Sequence, residues 1–462
     1  MKKQGFHYML TGVLTTALLW PAGIGQAHDK LGDSVEKGVN YDDLDYDFDG
    51  PVLEGTKNVK HLKEVAAVEL EDHEDGYKTT MADVYSYKGH AYAGTHLTGD
   101  QANGGVHVYD LKDPSNPEKV SSFADEIPGT WQEKVIVKPV NTEHFKGDLA
   151  VVSVQQIDSE HPESRGGFLL YDVTDPHEPE KLGFWEVDKR TIGTHELYLT
   201  IQNGRPLVLT ANPYADYYTH GESKDFQIVD VADPANPETI YEFDPRELEN
   251  VPEDFNGYHW EAPEGKTRPV FNHSTMANEQ GTRAYLSFWD LGTIILDISD
   301  PENPTFLSRT EYASDQQGSA HSSATAKGGN VLIETREVYD PAKDGYEESY
   351  GYTRIFDISN QSDPKLLSEF KTDLVDNIED GVTFANTVHD PKVRGNTLYL
   401  SHYAGGVYMV DITDPSNPEQ IGQYQSEWAD VWGVFVDRNY ILASDMQSGL
   451  KVLQKNNGNE NK

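Results

Sequence analysis

The chain has 462 residues, 37 Lys and Arg against 78 Asp and Glu, no cysteine, and a formal net charge of −41. A surface this acidic repels phosphate backbones and anionic bilayers, which argues against nucleic-acid and membrane partners. Without cysteine there is no disulfide framework, thiolate metal site or thiol nucleophile, while 26 Tyr, 16 Phe and 7 Trp supply apolar bulk for a folded core.

At the N-terminus, Lys2 and Lys3 precede an apolar run over residues 9–19, then Trp20, Pro21 and small residues ending Gly25-Gln26-Ala27. This is the pattern of a secretory signal peptide over residues 1–27, and it predicts a secreted, extracellular protein. Its removal takes two lysines and no acids, so the charge becomes −43. The run is short for a membrane span, and no second run of about 18 apolar residues follows. Residues 28–57 read as an acidic leader. Within it, residues 41–50 carry five aspartates, a charge density that suits calcium. The spaced Glu of a calcium loop is missing, and a solvated leader is the plainer reading.

One phrase then recurs six times: a β-branched or aromatic run, Asp, an apolar residue and a Pro-rich turn. The lead residues are Asp110, Asp172, Asp230, Asp297, Asp357 and Asp411, separated by 62, 58, 67, 60 and 54 residues. Asp before Pro starts a turn, and the second Pro stops ladder growth, so each phrase predicts strand, turn, strand. Two further strand candidates lie upstream of each phrase, as at residues 386–388 and 397–401 in the sixth copy. Four short antiparallel strands per repeat make a propeller blade. No helical-period stretch separates the strands, which disfavours a parallel barrel.

After residue 425 the pattern starts once more but has only three strands, ending at 449–454. Residues 58–65 look like an orphan fourth strand. Pairing the two would close the ring and remove two sheet edges. The expectation is an all-β protein: a seven-bladed β-propeller of four-stranded antiparallel blades over residues 58–455, ring closed by an N-terminal strand, with a disordered tail at 456–462. The alternative is an unclosed six-blade array.

The apolar–Val–Asp run followed by the DPxNP turn resembles the LVIVD-repeat family of secreted β-propeller proteins, over roughly residues 58–454. The resemblance implies the fold and no single activity. The fifth copy departs from it at Asn360, where the first Asp-Pro is missing.

Four histidines, His195, His273, His321 and His389, lie 12, 11, 10 and 9 residues before the second strands of blades three to six. That register places them at the innermost strands, converging on the channel. Neutral imidazoles there make a site for a transition metal ion such as iron, copper, zinc or manganese. The arrangement, though not the sequence, is similar to the four-histidine iron site of carotenoid-cleaving oxygenases. Asp83, Glu133 and Trp432 stand near the same place in blades one, two and seven, and Glu133 is the best candidate for a catalytic acid or base. The competing reading is structural hydrogen bonding within each blade. His96, Asn212, Trp289, Arg336, His402 and Asp445 form a second ring at the ends of the second strands. Tyr-rich loops at 213–224 and 337–352 would wall a pocket.

Two functions follow. One is a metal-dependent oxidoreductase or hydrolase acting on a small molecule at the channel mouth. The other is a non-catalytic, monomeric module that holds an extracellular carbohydrate, peptide or protein.

Overall fold

In a computed structural model of the chain, described over residues 59–456 except 71–78, 98–103, 158–160, 249–250, 253, 262–266, 313–318, 338–350, 373–374, 376–386 and 427–428, each Asp-Pro phrase folds as two consecutive side-chain-capped turns. The lead aspartate accepts the amide two residues on, as Asp110 from Lys112 and Asp411 from Thr413, both at 2.7 Å. The second acid repeats the move, as Asp113 from Ser115 at 3.0 Å. Asx turns of this kind need only a side-chain oxygen. Asn360 supplies one to the Ser362 amide at 3.3 Å, so the fifth copy keeps the turn despite its sequence. The signal peptide, the acidic leader with residues 41–50, and residues 457–462 lie outside the described residues.

These turns join the third and fourth strands of each blade. In blade 3 the order is Glu196–Gln202, Arg205–Ala211, Phe226–Asp230 and Glu238–Phe243, antiparallel throughout. Seven such sheets form the propeller. Blade 6 starts later than the spacing predicts. Its inner strand is Pro391–Arg394, later than the expected 386–388, and the bonds leading into it begin at His389, whose amide donates to the Ser401 carbonyl at 2.9 Å. Blade 7 combines Val431–Asp437, Tyr440–Asp445 and Gly449–Lys455 with Leu62–Val68 from the other end of the chain. The closing strand begins four residues later than expected and ends three later. The residues before it, Val59–Lys60, add to the outer strand of blade 6, pairing Val59 with Tyr424. The N-terminal segment therefore bridges two blades.

The core lies between blades. Strand alternation gives each sheet two apolar faces, and each face packs on its neighbour's. Leu207, Leu209 and Ile228 of blade 3 meet Leu286, Ile294 and Leu296 of blade 4. Across the closure, Met81, Val84 and Ala91 of blade 1 meet Leu442, Leu450 and Val452 of blade 7. Outer strands are also tied to the next blade's turn. Ser121 donates to the Pro176 carbonyl at 2.6 Å, Ser308 to that of Gln361 at 2.5 Å, and Ser368 to that of Pro415 at 2.7 Å. At the matching place in blade 2 stands Gly183, where a Cβ would meet the Pro234 carbonyl oxygen at 2.0 Å.

Candidate metal centre

The inner strands open on a bulge. Register skips between Met81 and Val84, Asn272 and Ser274, Ala320 and Ser323, and Val431 and Gly433. A bulge frees one amide from the ladder and re-aims a side chain. The freed amide is taken by a hydroxyl on the second strand. Lys134 donates to Ser153 Oγ, Asp390 to Ser401 Oγ and Gly433 to Ser444 Oγ, each at 2.9 Å, and Ser322 to Thr335 Oγ1 at 3.3 Å. The residue just before that amide is Glu133, Trp432, His321 and His389 in these four blades. His195 and His273 hold the same place in blades 3 and 4.

These six side chains close a circuit around the axis. Ring centroids are 4.6 Å apart for His195 and His273, 4.1 Å for His273 and His321, and 4.3 Å for His321 and His389. His389 lies 4.5 Å from Trp432, whose Nε1 donates to Glu133 Oε1 at 2.9 Å. Glu133 Oε2 stands 3.2 Å from His195 Nδ1, which completes the loop. All six are buried.

Hydrogen bonding assigns the proton on two imidazoles. Gln155 Oε1 lies 2.7 Å from His195 Nδ1, and the His389 carbonyl lies 3.1 Å from His321 Nδ1. Both partners are acceptors, so each Nδ1 carries the proton and each Nε2 keeps its lone pair. Outer partners of this kind orient metal-binding histidines. His273 and His389 lean in the same way on the backbone of the next blade, His273 on that of His321 and His389 on that of Trp432. Burial holds His273 and His321 well below the usual histidine range, and brings His389 down to about 4. The strip is therefore neutral, the form that ligates.

The lone pair on His321 Nε2 faces Glu337 Oε2 at 3.5 Å. Two ligands about 2.1 Å from one ion at near-tetrahedral angles stand roughly 3.4 Å apart. Tyr403 donates its hydroxyl to Glu337 Oε1, which fixes the carboxylate. Ligand atoms of His273, His321 and Glu337 lie within 4.8 Å of one another, as do those of His321, His389 and Asp390. His195 stands at the end of this arc, tied to Glu133 and Gln155. The residues fit a transition metal with imidazole and carboxylate ligands.

One step along each inner strand, the charges sort differently. Lys134 Nζ contacts Asp83 Oδ2 at 2.7 Å, Glu196 Oε1 at 2.8 Å and Asp390 Oδ2 at 3.5 Å, all buried. Asp390 also holds Lys392 at 2.5 Å. Burial pushes both Glu196 and Asp390 up. Two lysines bring Asp390 well below the carboxylate range, whereas Glu196, with one, is raised to about 7. Burial, with the Glu196 charge second, also raises Glu133 well above that range. A carboxyl so placed accepts from Trp432 and orients His195, and it touches the centre through that imidazole.

Sequence spacing located the four histidines and Glu133 but missed Lys134 and Glu337. In blades 5 and 6 the residue beside the histidines lies one position beyond the expected ring. The side chains beside the histidines are Gln155, Trp289, Glu337 and Tyr403, each two positions beyond a small or hydroxyl residue: Ser153, Ser287, Thr335 and Ser401. That residue was the available signal. Of the expected ring, Trp289 faces His273 at 5.4 Å. Asn212, His402 and Asp445 are instead committed to local hydrogen bonds, and Arg336 packs on the Tyr352 ring at 4.5 Å. The side chain of His96 lies outside the described residues, as does most of the loop at 337–352. The loop at 213–224 folds over the site, with Tyr214 and Tyr217 packed on Phe271 and Trp289.

A family model described as LVIVD repeat matches residues 280–311, 351–372 and 387–426. No curated protein matches the chain. Among solved structures, the Raptor protein of Chaetomium thermophilum is 13% identical, with a TM-score of 0.50 over 86% of this chain and 30% of its own. The β-propeller domain of Cps50 (Swd1) from Myceliophteria thermophila is 11% identical, with a TM-score of 0.49 over 82% of this chain and 97% of its own. A computationally designed protein, Ika8, is 10% identical, with a TM-score of 0.47 over 85% and 99%. Likeness at this level concerns the fold.

Proposed function

We propose that this LVIVD-repeat propeller is an exported metalloprotein that holds a transition metal ion on its axis, through His273, His321 and Glu337, with His195 and His389 flanking. One observation carries the reading: His321 Nε2, its lone pair fixed by the bond at Nδ1, faces a carboxylate oxygen at ligand-to-ligand distance. Imidazole and carboxylate without thiolate suit iron, manganese, copper or zinc. The bound ion would supply redox or Lewis-acid chemistry. The chain's own residues hold the imidazoles neutral, fix their tautomers through Gln155, Glu133 and the His389 carbonyl, and screen them from water. So closed a centre suits electron transfer or a very small reactant better than a bulky substrate. Export rests on the N-terminal pattern of charge, apolar run and small residues. Among the described residues no helix is long and apolar enough to cross a membrane.

The test is elemental analysis of protein purified after export without chelators. About one equivalent of a transition metal is expected, falling at least tenfold in His321→Ala and Glu337→Ala variants that keep their strand circular dichroism. A metal-free wild-type protein whose melting temperature does not respond to added metal would overturn the reading and favour the non-catalytic binding module.

A further inference from the structure

We propose that a string of aromatic rings carries single electrons between the buried centre and solvent, so that the protein oxidises phenols at its surface at the expense of hydrogen peroxide. The inference rests on the metal reading above.

The string starts at His273, which is fully buried and lies 5.4 Å from the Trp289 ring. Trp289 stacks on Phe271 at 5.1 Å and 17°, and Phe271 meets Tyr214 at 4.3 Å. Tyr214 is 6.4 Å from Tyr218, which is part-exposed and contacts Tyr217 at 5.4 Å. Tyr217 meets Tyr258, also part-exposed, at 5.2 Å. Trp and Tyr have electron-rich rings that give up one electron more readily than other side chains of a core. Tunnelling falls steeply with distance, so near-contact spacing is what such a path needs.

The segment bearing these tyrosines is held at some cost. Tyr214 sits in the left-handed region at φ 60, unfavourable for a bulky side chain, and His220 closes the short helix at φ 53. Asp225 clamps the segment to the strand of His273. Its Oδ1 accepts the Asp216 amide at 3.0 Å and its Oδ2 the Asn272 amide at 3.2 Å. Asp216 in turn binds Lys224 at 2.7 Å and Arg246 at 2.8 Å. Strained backbone kept by several buried contacts marks a position that function constrains.

The balance is as follows. Each peroxide takes two electrons and two protons and leaves as two waters. The electrons pass outward-to-inward one at a time. Tyr218 loses an electron to the string and its phenolic proton to solvent. A phenol in solution then restores it by giving one hydrogen atom. Two phenols are consumed per peroxide, and the resulting phenoxyl radicals couple.

Wild-type protein carrying its own metal is mixed with hydrogen peroxide and N-acetyltyrosine amide. Dityrosine fluorescence gives the rate, and freeze-quenched electron paramagnetic resonance reports the protein radical. The expected result is a tyrosyl or tryptophanyl signal in the wild type, and a rate at least tenfold lower in both Trp289→Phe and Tyr218→Phe with metal content unchanged. Tyr218 is part-exposed, so its variant is a folding-independent check on the first. Unchanged rates in both variants, or a centre that holds zinc, overturn the string and leave the metal reading intact. Protein without metal overturns both.

Discussion

Lys134 is a buried cation placed among three buried acids on the axis. Its ammonium satisfies Asp83 and Glu196 directly and Asp390 at longer range. The cluster is expensive to form, since desolvating each charge costs several kcal/mol. Removing one member is worse than removing all, because the remainder is left buried and uncompensated. Lys134→Met should therefore destabilise the protein by about 3–5 kcal/mol. Adding Asp83→Asn and Glu196→Gln to it should recover most of that loss. Guanidinium unfolding of the single and triple variants measures both steps. If the single variant is within experimental error of wild type, Lys134 is not the centre of the cluster. The layout also explains why Lys134 escaped the sequence reading: a lysine is ordinarily a surface residue, and nothing in its spacing marks it as axial.

At the scale of an element, the repeat encodes more than a turn. The phrase folds a capped double turn, and the outer strand of the preceding blade reaches across to a carbonyl of that turn. Blades 1, 4 and 5 use a serine for this reach. Blade 2 uses Gly183, where the Pro234 carbonyl sits so close that no Cβ fits. Gly183→Ala should force blades 2 and 3 apart locally, at a cost of about 1–3 kcal/mol by the usual penalty for overpacking. The neighbouring change Leu182→Ala should lack that steric cost. Thermal unfolding of the two variants side by side is the check, and an unshifted Gly183→Ala melt would contradict the close approach. Strands, turns and ring closure were legible because each has a local signature: β-branched runs, Asp-Pro pairs, an orphan strand. The histidine register was legible because it repeats. The bulge was not, since its cause is the pairing of an amide with a hydroxyl from another strand. In blades 5 and 6 the side chains beside the centre are Glu337 and Tyr403, each one position beyond the expected Arg336 and His402.

For the whole molecule, the acidity and the fold are linked. The turns expose acids, and in several of them local hydrogen bonds favour the ionised form. Asp113 and Asp414 are kept below the usual carboxylate range by the hydroxyl and amide of the serine two residues on. Asp357 and Asp411 are held down in the same way. The turns join equivalent strands, so a closed ring gathers these charges on one rim. Like charges on one rim repel, and the repulsion acts against the closure that Leu62–Val68 supplies. Dissolved salt screens it, with a Debye length of about 10 Å at 0.1 M and about 3 Å at 1 M. The melting temperature should therefore climb steeply with sodium chloride at low concentration and level off once the screening length falls below the spacing of the turns. The plateau separates screening from the steady stabilisation that excluded salts such as sulfate give to any fold. Neutralising one acid in each of two adjacent turns, Asp113→Asn with Asp175→Asn, should raise the low-salt melting temperature and flatten the climb. A melting temperature that is level or falls with added chloride would mean that the charges are too dispersed to load the ring, and that closure is limited by packing between blades 7 and 1 alone.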